Sequence, residues 1–176
     1  MHPMKEYLIV YSTTDGQTLK ICEKIAGILN SKFNTKIVSI EDMKDLDINH
    51  YENILIGASI RYGKHKPELY SFIKENLYFL TKAKAAFFSV NVVARKPEKN
   101  KPETNPYIQK FLTLSNWTPF HIGVFAGKID YPKYRFIDRF MIRLIMWITN
   151  GPTDTKNTYE FTNWDAVNEF AKKISM

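Results

Sequence analysis

A hydroxyl-rich stretch, Ser12-Thr13-Thr14-Asp15-Gly16-Gln17-Thr18, carries the residue types in this chain that are best suited to binding chemistry. It follows the continuous apolar run at 7–11, which is typical of a buried strand, and precedes apolar residues at helical spacing. The stretch is therefore predicted to be the turn between a first strand and a first helix. Hydroxyls and free N–H groups at a helix N-terminus bind anions, most often a phosphate, and Gly16 can adopt a positive φ. We predict a phosphate site at 12–18, with an ordinary, well-capped turn as the alternative.

The motifs that this turn lacks narrow the range of phosphate-containing ligands that it could bind. It has no Gly-x-Gly-x-x-Gly fingerprint for dinucleotides and no Gly-Lys-Ser/Thr for nucleoside triphosphates. A hydroxyl-rich loop without Lys suits a monophosphate that neutral donors bind. Tyr62 and Phe88, near two later loops, could stack on a flat ring.

The elements that must position these residues alternate between strand and helix. Apolar runs predict strands near 6–11, 35–40, 53–57, 84–93 and 121–127, and helical spacing predicts helices near 17–31, from 67, 103–114 and 164–174. Alternation favours a parallel sheet with helices on both faces, here one α/β domain over 5–176 with the flavodoxin-like strand order 2-1-3-4-5. Ligands of such sheets lie beyond the carboxyl ends of the strands, which would bring together Ser12–Thr18, Ser59–Tyr62 and Ser89–Val92.

One segment, predicted as an insertion at about 128–156, interrupts this alternation. Its centre, Tyr134–Ile148, predicts an amphipathic helix with Arg135, Arg139 and Arg143 on one stripe and a large apolar face. Such a helix measures about 21 Å, too short to cross a hydrocarbon core of about 30 Å. It could lie in a membrane interface, bind a partner or cap the active site, and a core-facing helix is the alternative.

The charge of the chain is concentrated in two windows. The net charge is +7, and the windows 94–110 and 128–150 each hold five Lys and Arg against two acids. This pattern points to an anionic partner: a membrane surface, a nucleic acid or an acidic ligand. The single cysteine, Cys22, excludes an internal disulfide framework and is expected in the core.

The sequence gives little support for a signal peptide, a metal site or a catalytic side chain. The residues at 1–5 lead directly into a strand, so we expect no signal peptide. The four histidines, His2, His50, His65 and His121, lack metal-ligand spacing, and His65 is expected to be solvated. No Ser/His/Asp or Cys/His pairing is evident, so we assign no catalytic side chain and no metal site.

Four segments carry a resemblance to known proteins. The turn at 12–18 resembles the FMN phosphate loop of flavodoxin-like proteins. The segments Ile56–Gly63, Ser89–Lys99 and Tyr131–Ile142 are similar to one family within that fold, the bacterial flavodoxin-like, menaquinone-dependent protoporphyrinogen IX dehydrogenases of haem biosynthesis. The resemblance covers about 5–174 and departs at Thr14, where a basic residue is expected.

This resemblance implies an FMN enzyme that oxidises protoporphyrinogen IX to protoporphyrin IX and passes the electrons to a quinone such as menaquinone. It also implies peripheral attachment to the cytoplasmic face of the bacterial inner membrane, without a nucleic-acid partner. The expected cofactor-binding residues are Ser12, Thr13, Thr14, Asp15, Gly16, Gln17, Thr18, Ser59, Ile60, Arg61, Tyr62, Phe87, Phe88, Ser89, Val90, Asn91, Val92, Asp154 and Thr155.

The basic residues are candidates for the substrate and the membrane. Two propionates on the substrate suggest Arg61, Arg95, Lys96 and Lys99, whereas Arg135, Arg139 and Arg143 would face anionic head groups. Three rival functions remain open: an electron-transfer flavodoxin, an NAD(P)H:quinone reductase and a flavin-free interaction module. The sequence leaves the oligomeric state undetermined.

Overall fold

A computed structural model describes residues 3–176, so His2 lies outside the described residues. Seven strands and five α-helices form it. They are β1 (Lys5–Ser12), α1 (Gln17–Leu29), β2 (Phe33–Ser39), β3 (Asn53–Ser59), α2 (Pro67–Lys82), β4 (Lys84–Val90), α3 (Pro106–Ser115), β5 (His121–Phe125), β6 (Lys128–Asp130), α4 (Phe136–Ile148), β7 (Thr158–Glu160) and α5 (Trp164–Ile174). Helix α3 starts later than expected because the Asn105 side chain caps it, accepting bonds from Tyr107 N and Ile108 N.

The main sheet is parallel with the predicted order β2-β1-β3-β4-β5, which confirms the expected fold. Its register aligns the strand ends, since Ser12 pairs with Ala58 and Ser59 pairs with Val90. The loops that leave β1, β3 and β4 therefore begin at one edge of the sheet. That edge is where ligands of such sheets bind.

Two apolar cores, one on each face, hold the sheet between its helices. Successive residues of a strand point to opposite faces, so Ile54 and Ile56 lie in the core with α2 and α3, and Leu55 lies in the core with α1 and α5. Cys22 is fully buried in the second core, as expected. The strands that end at the ligand edge are thus rigidly supported on both sides.

The segment between β5 and α5 forms a third unit at the carboxyl edge of the sheet. It contains the antiparallel pair β6–β7 and the helix α4. A small core joins these elements, formed by Ile129, Tyr131, Tyr134, Ile142 and Met146. Only Ile142 and Met146 of α4 are buried, so most of its apolar surface stays exposed. No helix within residues 3–176 is both long and apolar enough to cross a bilayer.

Candidate functional site

A cleft opens between the carboxyl ends of the central strands and the inserted helix. The space between its walls, including the open mouth, is about 910 Å³. Three loops line it, after β1, β3 and β4, and the predicted residues among the lining are Thr13, Thr14, Asp15, Gln17, Thr18, Ser59, Ile60, Arg61, Tyr62, Val90, Asn91 and Val92. The fold therefore brings together the three segments that were expected to meet.

The loop after β1 forms a cradle with unsatisfied donors. Gly16 precedes α1 with φ 88° and its N–H donates to Thr13 Oγ1 at 2.9 Å. No side chain caps α1, so the first amides of the helix remain available. The hydroxyl of Thr18, in the first turn, is fully buried and has no hydrogen-bond partner. An orphaned hydroxyl beside free helix amides fits a bound phosphate, so the residues present fit the phosphate end of FMN.

Two cations from the next loop reach this cradle. Lys66 Nζ donates to Thr13 O at 2.8 Å, and the guanidinium of Arg61 pairs with both carboxylate oxygens of Asp15. The cradle itself lacks Lys and Arg, including the basic residue expected at Thr14. The positive charge near the cradle comes instead from Arg61 and Lys66, which lie much further along the chain. This charge favours an anionic ligand.

The turn at Tyr62-Gly63 is strained and points toward the inserted helix. Tyr62 has φ 51° and Gly63 has φ 77°, and mutual backbone bonds between Arg61 and Lys64 close the turn. Two central residues with positive φ define a type I′ turn, which tyrosine disfavours by about 1–2 kcal/mol. The Tyr62 phenol donates to Asp138 of α4, which raises the pKa of Tyr62. The Arg61 guanidinium lies 5.7 Å from the centre of the Tyr62 ring.

A buried polar network supports the loop after β4. Ser89 Oγ lies 2.9 Å from His65 Nε2 and 3.2 Å from Asn91 Nδ2, and Asn91 exchanges bonds with Asn105. The expectation of a solvated His65 is wrong, because its ring is buried against Phe87 and Phe111. Ser89 accordingly lies behind the cleft and supports Asn91, which lines it.

Burial of His65 makes the stability of the protein depend on pH. Desolvation, aided by the charge of Lys110, lowers the pKa of His65 from 6.5 to about 4. Between these values the unfolded chain binds more protons than the folded one, so the free energy of unfolding should fall as the pH drops from 6.5 to 4. We expect His65→Gln to flatten this slope in urea titrations at several pH values. Equal slopes in His65→Gln and the wild type would contradict the assignment.

Several expected cofactor residues do not line the cleft. Phe87 and Phe88 are fully buried, Phe87 stacked on Phe111 and Phe88 against the Phe125 ring, so neither can stack on a flavin. Ser12 ends β1 and is buried below the cradle. Asp154 and Thr155 lie outside the lining. Asp154 instead stabilises a turn by accepting bonds from Lys156 N and Asn157 Nδ2.

Two expected ligand-binding arginines are used within the protein. Arg95 donates to Val92 O, to Thr149 O at 2.9 Å and to Thr149 Oγ1, which ties the loop after β4 to the end of α4. Arg139 donates to three backbone carbonyls, those of Tyr131, Pro132 and Tyr134, which ties the start of α4 to the preceding turn. Both side chains therefore have a structural role, one at each end of α4. Arg135 and Arg143 remain exposed, and Lys96 and Lys99 are half-buried outside the cleft.

The insertion supplies cleft residues that the sequence had not singled out. Lys128 contributes a cation from β6, and α4 contributes an apolar wall at i, i+3 and i+4 spacing: Ile142, Ile145 and Met146. Thr149, which caps the C-terminus of α4, follows at i+7. The other lining residues that had not been predicted are Ile129 and Tyr134 within the insertion and Gly63, Val93, Tyr107 and Gly127 outside it. The helical spacing could have indicated this wall, and one of the proposed roles of the helix was to cap the site. Across residues 3–176, no cluster of His, Cys, Asp or Glu is suited to hold a metal ion.

Comparison with known proteins agrees with this architecture. The flavodoxin domain family matches residues 8–156. Among solved structures, flavodoxin 2 from Bacillus cereus superposes with a TM-score of 0.55 at 16% identity over 97% of each chain. Megasphaera elsdenii flavodoxin also gives 0.55, at 14% identity over 68% of this chain and 85% of its own. These likenesses show the fold.

Curated relatives are considerably more similar. The protoporphyrinogen IX dehydrogenase (quinone) of Escherichia coli (strain K12) is 41% identical over 96% of this chain and 93% of its own length. The Leishmania major protein of the same name is 43% identical over 96% of this chain and 74% of its own.

The parallel sheet with its strand order and the domain match define a protein of the flavodoxin class. Within that class, the chain belongs to the family of protoporphyrinogen IX dehydrogenases (quinone), as its near-complete alignment with curated members shows. This confirms the family that the sequence segments resembled. It also makes the chain an oxidoreductase rather than a flavin-free interaction module.

Proposed function

We propose that this chain binds FMN in the cleft, oxidises protoporphyrinogen IX to protoporphyrin IX and passes the electrons to a quinone, menaquinone in the first instance. The observation that carries this proposal is the pairing of a phosphate cradle with an apolar wall in one cleft. An electron carrier has no need of such a wall, whereas an enzyme for flat, apolar molecules does.

The residues of the cradle and its neighbours would hold the cofactor. The amides that begin α1 and the Thr18 hydroxyl would donate to the phosphate, and Arg61 neutralises Asp15 beside this position. Asn91 and the backbone of the loop after β3 offer polar groups to the ring. When bound, FMN supplies hydride acceptance and electron transfer, which no side chain of this cleft could supply.

The wall of α4 and nearby cations would bind the organic substrate. Ile142, Ile145 and Met146 exclude water from one side of the cleft and present an apolar surface to a macrocycle. Lys128, whose nearest acid is Asp130 at 4.0 Å, supplies a positive charge inside the cleft. We infer that Lys128, with Lys96 and Lys99 outside it, pairs with the propionates of the substrate.

We further propose that the outer face of α4 rests on a membrane, at the cytoplasmic face of the bacterial inner membrane. Large apolar residues that a protein leaves in water usually mark an interaction surface. Five large apolar residues here are each at least 60% exposed, with Arg135 and Arg143 beside them: Phe136, Ile137, Phe140, Trp147 and Ile148. Apolar contact combined with cations suits an anionic lipid surface, from which a quinone is supplied.

A turnover assay tests the enzymatic proposal. Reconstituted with FMN and given protoporphyrinogen IX and menaquinone without oxygen, the protein should produce porphyrin fluorescence that depends on the quinone. Absence of porphyrin together with electron delivery to a redox protein would favour a carrier. Rapid bleaching of the flavin by NADPH alone would favour an NAD(P)H:quinone reductase.

A further inference from the structure

A polar bond joins the inserted helix to the loop after β3 across the rim of the cleft. The Tyr62 phenol donates to the carboxylate of Asp138, in the first turn of α4, 76 positions further along the chain. None of the ion pairs among residues 3–176 includes Asp138. The carboxylate is thus dedicated to the tyrosine rather than shared with a neighbouring cation.

The backbone on the tyrosine side is held in an unfavourable conformation to make this bond. Tyr62 occupies the left-handed region with φ 51°, in a turn that glycine or asparagine would adopt at lower cost. Retained strain of this kind clusters at functional sites, where surrounding contacts maintain it. Those contacts are the Asp138 bond and the Arg61 guanidinium, which also lies 5.1 Å from the Tyr134 ring centre.

Asp138, the partner of Tyr62 in this bond, lies on the face of α4 that forms the wall of the cleft. Asp138 precedes Ile142 by four positions and Ile145 by seven, so these residues lie along one face of α4. Tyr62 and Ile142 both line the cleft, on the two segments that the bond joins. A shift of α4 at Asp138 would therefore move the apolar wall relative to Tyr62.

We propose that Asp138 is a positioning residue that, through Tyr62, fixes the separation between α4 and the loop after β3 and so sets the width of the cleft that the quinone must enter to reach the cofactor. This inference rests on the proposed function. Arg95 ties down the C-terminal end of α4, and Arg139 ties its N-terminal end to the preceding turn. The bond at Asp138 is the contact that joins this N-terminal end to the loop after β3. If the wall loosens, it stabilises the bound quinone less and the transition state less, by the same amount. The KM for the quinone then rises while kcat stays the same.

The test is a double-mutant cycle on the FMN-loaded full chain with menaquinone as the varied substrate. Tyr62→Phe and Asp138→Ala should each raise KM for the quinone by about five- to tenfold, the effect of one hydrogen bond, and change kcat by less than about twofold. The double variant should be no worse than either single variant, because all three lack the same bond. Asp138→Asn should stay near the wild-type values, since its amide oxygen still accepts.

A second readout does not depend on turnover. Amide hydrogen exchange in α4 should be faster in Tyr62→Phe and Asp138→Ala than in the wild type, with and without FMN, while exchange in β1 and β3 is unchanged. Matched controls are Asp165→Ala, in the first turn of α5, and Tyr78→Phe, at an exposed tyrosine on α2. Both controls should leave α4 exchange and KM at wild-type values.

The role of Asp138 would be overturned if the increases in KM of the two single variants multiply in the double variant. It would also be overturned if the single variants keep the wild-type KM and the wild-type exchange rates in α4. Failure of the underlying function looks different: the wild-type protein would bind FMN but would not reduce the quinone. In that case the exchange measurement still decides whether the Tyr62–Asp138 bond holds the helix in place.

Discussion

Replacing Gly16 by Val should lower the affinity for FMN at least about a hundredfold, or about 2.7 kcal/mol. Gly16 has φ 88°, a conformation that a β-branched residue adopts only with strain. A Cβ at this position would meet no atom within 4 Å, so the effect arises from the backbone rather than from a clash. When the backbone leaves this conformation, the amides that begin α1 no longer converge on the phosphate. Titration of FMN fluorescence against the apoprotein measures the change.

Two further variants separate this effect from general damage to α1. Gly27→Val places the same side chain in equally open space within α1, where φ is not positive, and should bind FMN within about twofold of the wild type. Gly16→Asn should have an intermediate effect, because asparagine tolerates the left-handed region. If Gly16→Val binds FMN as tightly as Gly27→Val, the loop at 12–18 is not the phosphate site.

The paired substitution Phe140→Ser and Trp147→Ser should lower binding to anionic vesicles at least about a hundredfold. Both side chains project from α4 into water, at 60% and 71% exposure, and burying such a side chain contributes about 1.5–3 kcal/mol. Neither lines the cleft, so FMN affinity should be unchanged. Co-sedimentation with vesicles, with FMN titration of the same samples, measures both quantities.

The matched control exchanges two apolar residues that are similarly exposed elsewhere. Leu114→Ser and Phe120→Ser, at 56% and 66% exposure outside the insertion, should leave vesicle binding at the wild-type level. Charge is tested separately: Arg143→Gln should weaken binding to anionic vesicles by about 1 kcal/mol and leave binding to neutral ones unchanged. Equal loss in the two paired variants would show that α4 is not the docking face.

Deletion of the central part of the insertion distinguishes the two roles of α4 less clearly than these substitutions. Removal of residues 133–149 should detach the protein from anionic vesicles. Because Ile142, Ile145 and Met146 form a wall of the cleft, the deletion would also open the cofactor site. Substitutions on the outer face of α4 separate the two roles, since that face and the wall use different residues.

The sequence misassigned residues where the direction of a side chain decided the outcome. Phe87 and Phe88 stand near the end of β4, but both rings enter the two apolar cores instead of the cleft. Arg95 and Arg139 form part of basic stretches that read as ligand-binding, yet each donates to backbone carbonyls at one end of α4. The sequence shows that a cation is present, but it does not show which backbone carbonyls the fold brings within hydrogen-bonding distance of that cation.

The local pattern of the chain was sufficient for the sheet order and the existence of the amphipathic insertion. Apolar periodicity and the chemistry of a strand–helix turn depend on neighbouring residues, so they can be read from the sequence directly. Only the tertiary structure decided which distant groups complete the site: Arg61 and Lys66 at the cradle, Asp138 at Tyr62 and Lys128 in the cleft. Those pairings depend on distances between loops, which the register of the parallel strands and the docking of α4 determine.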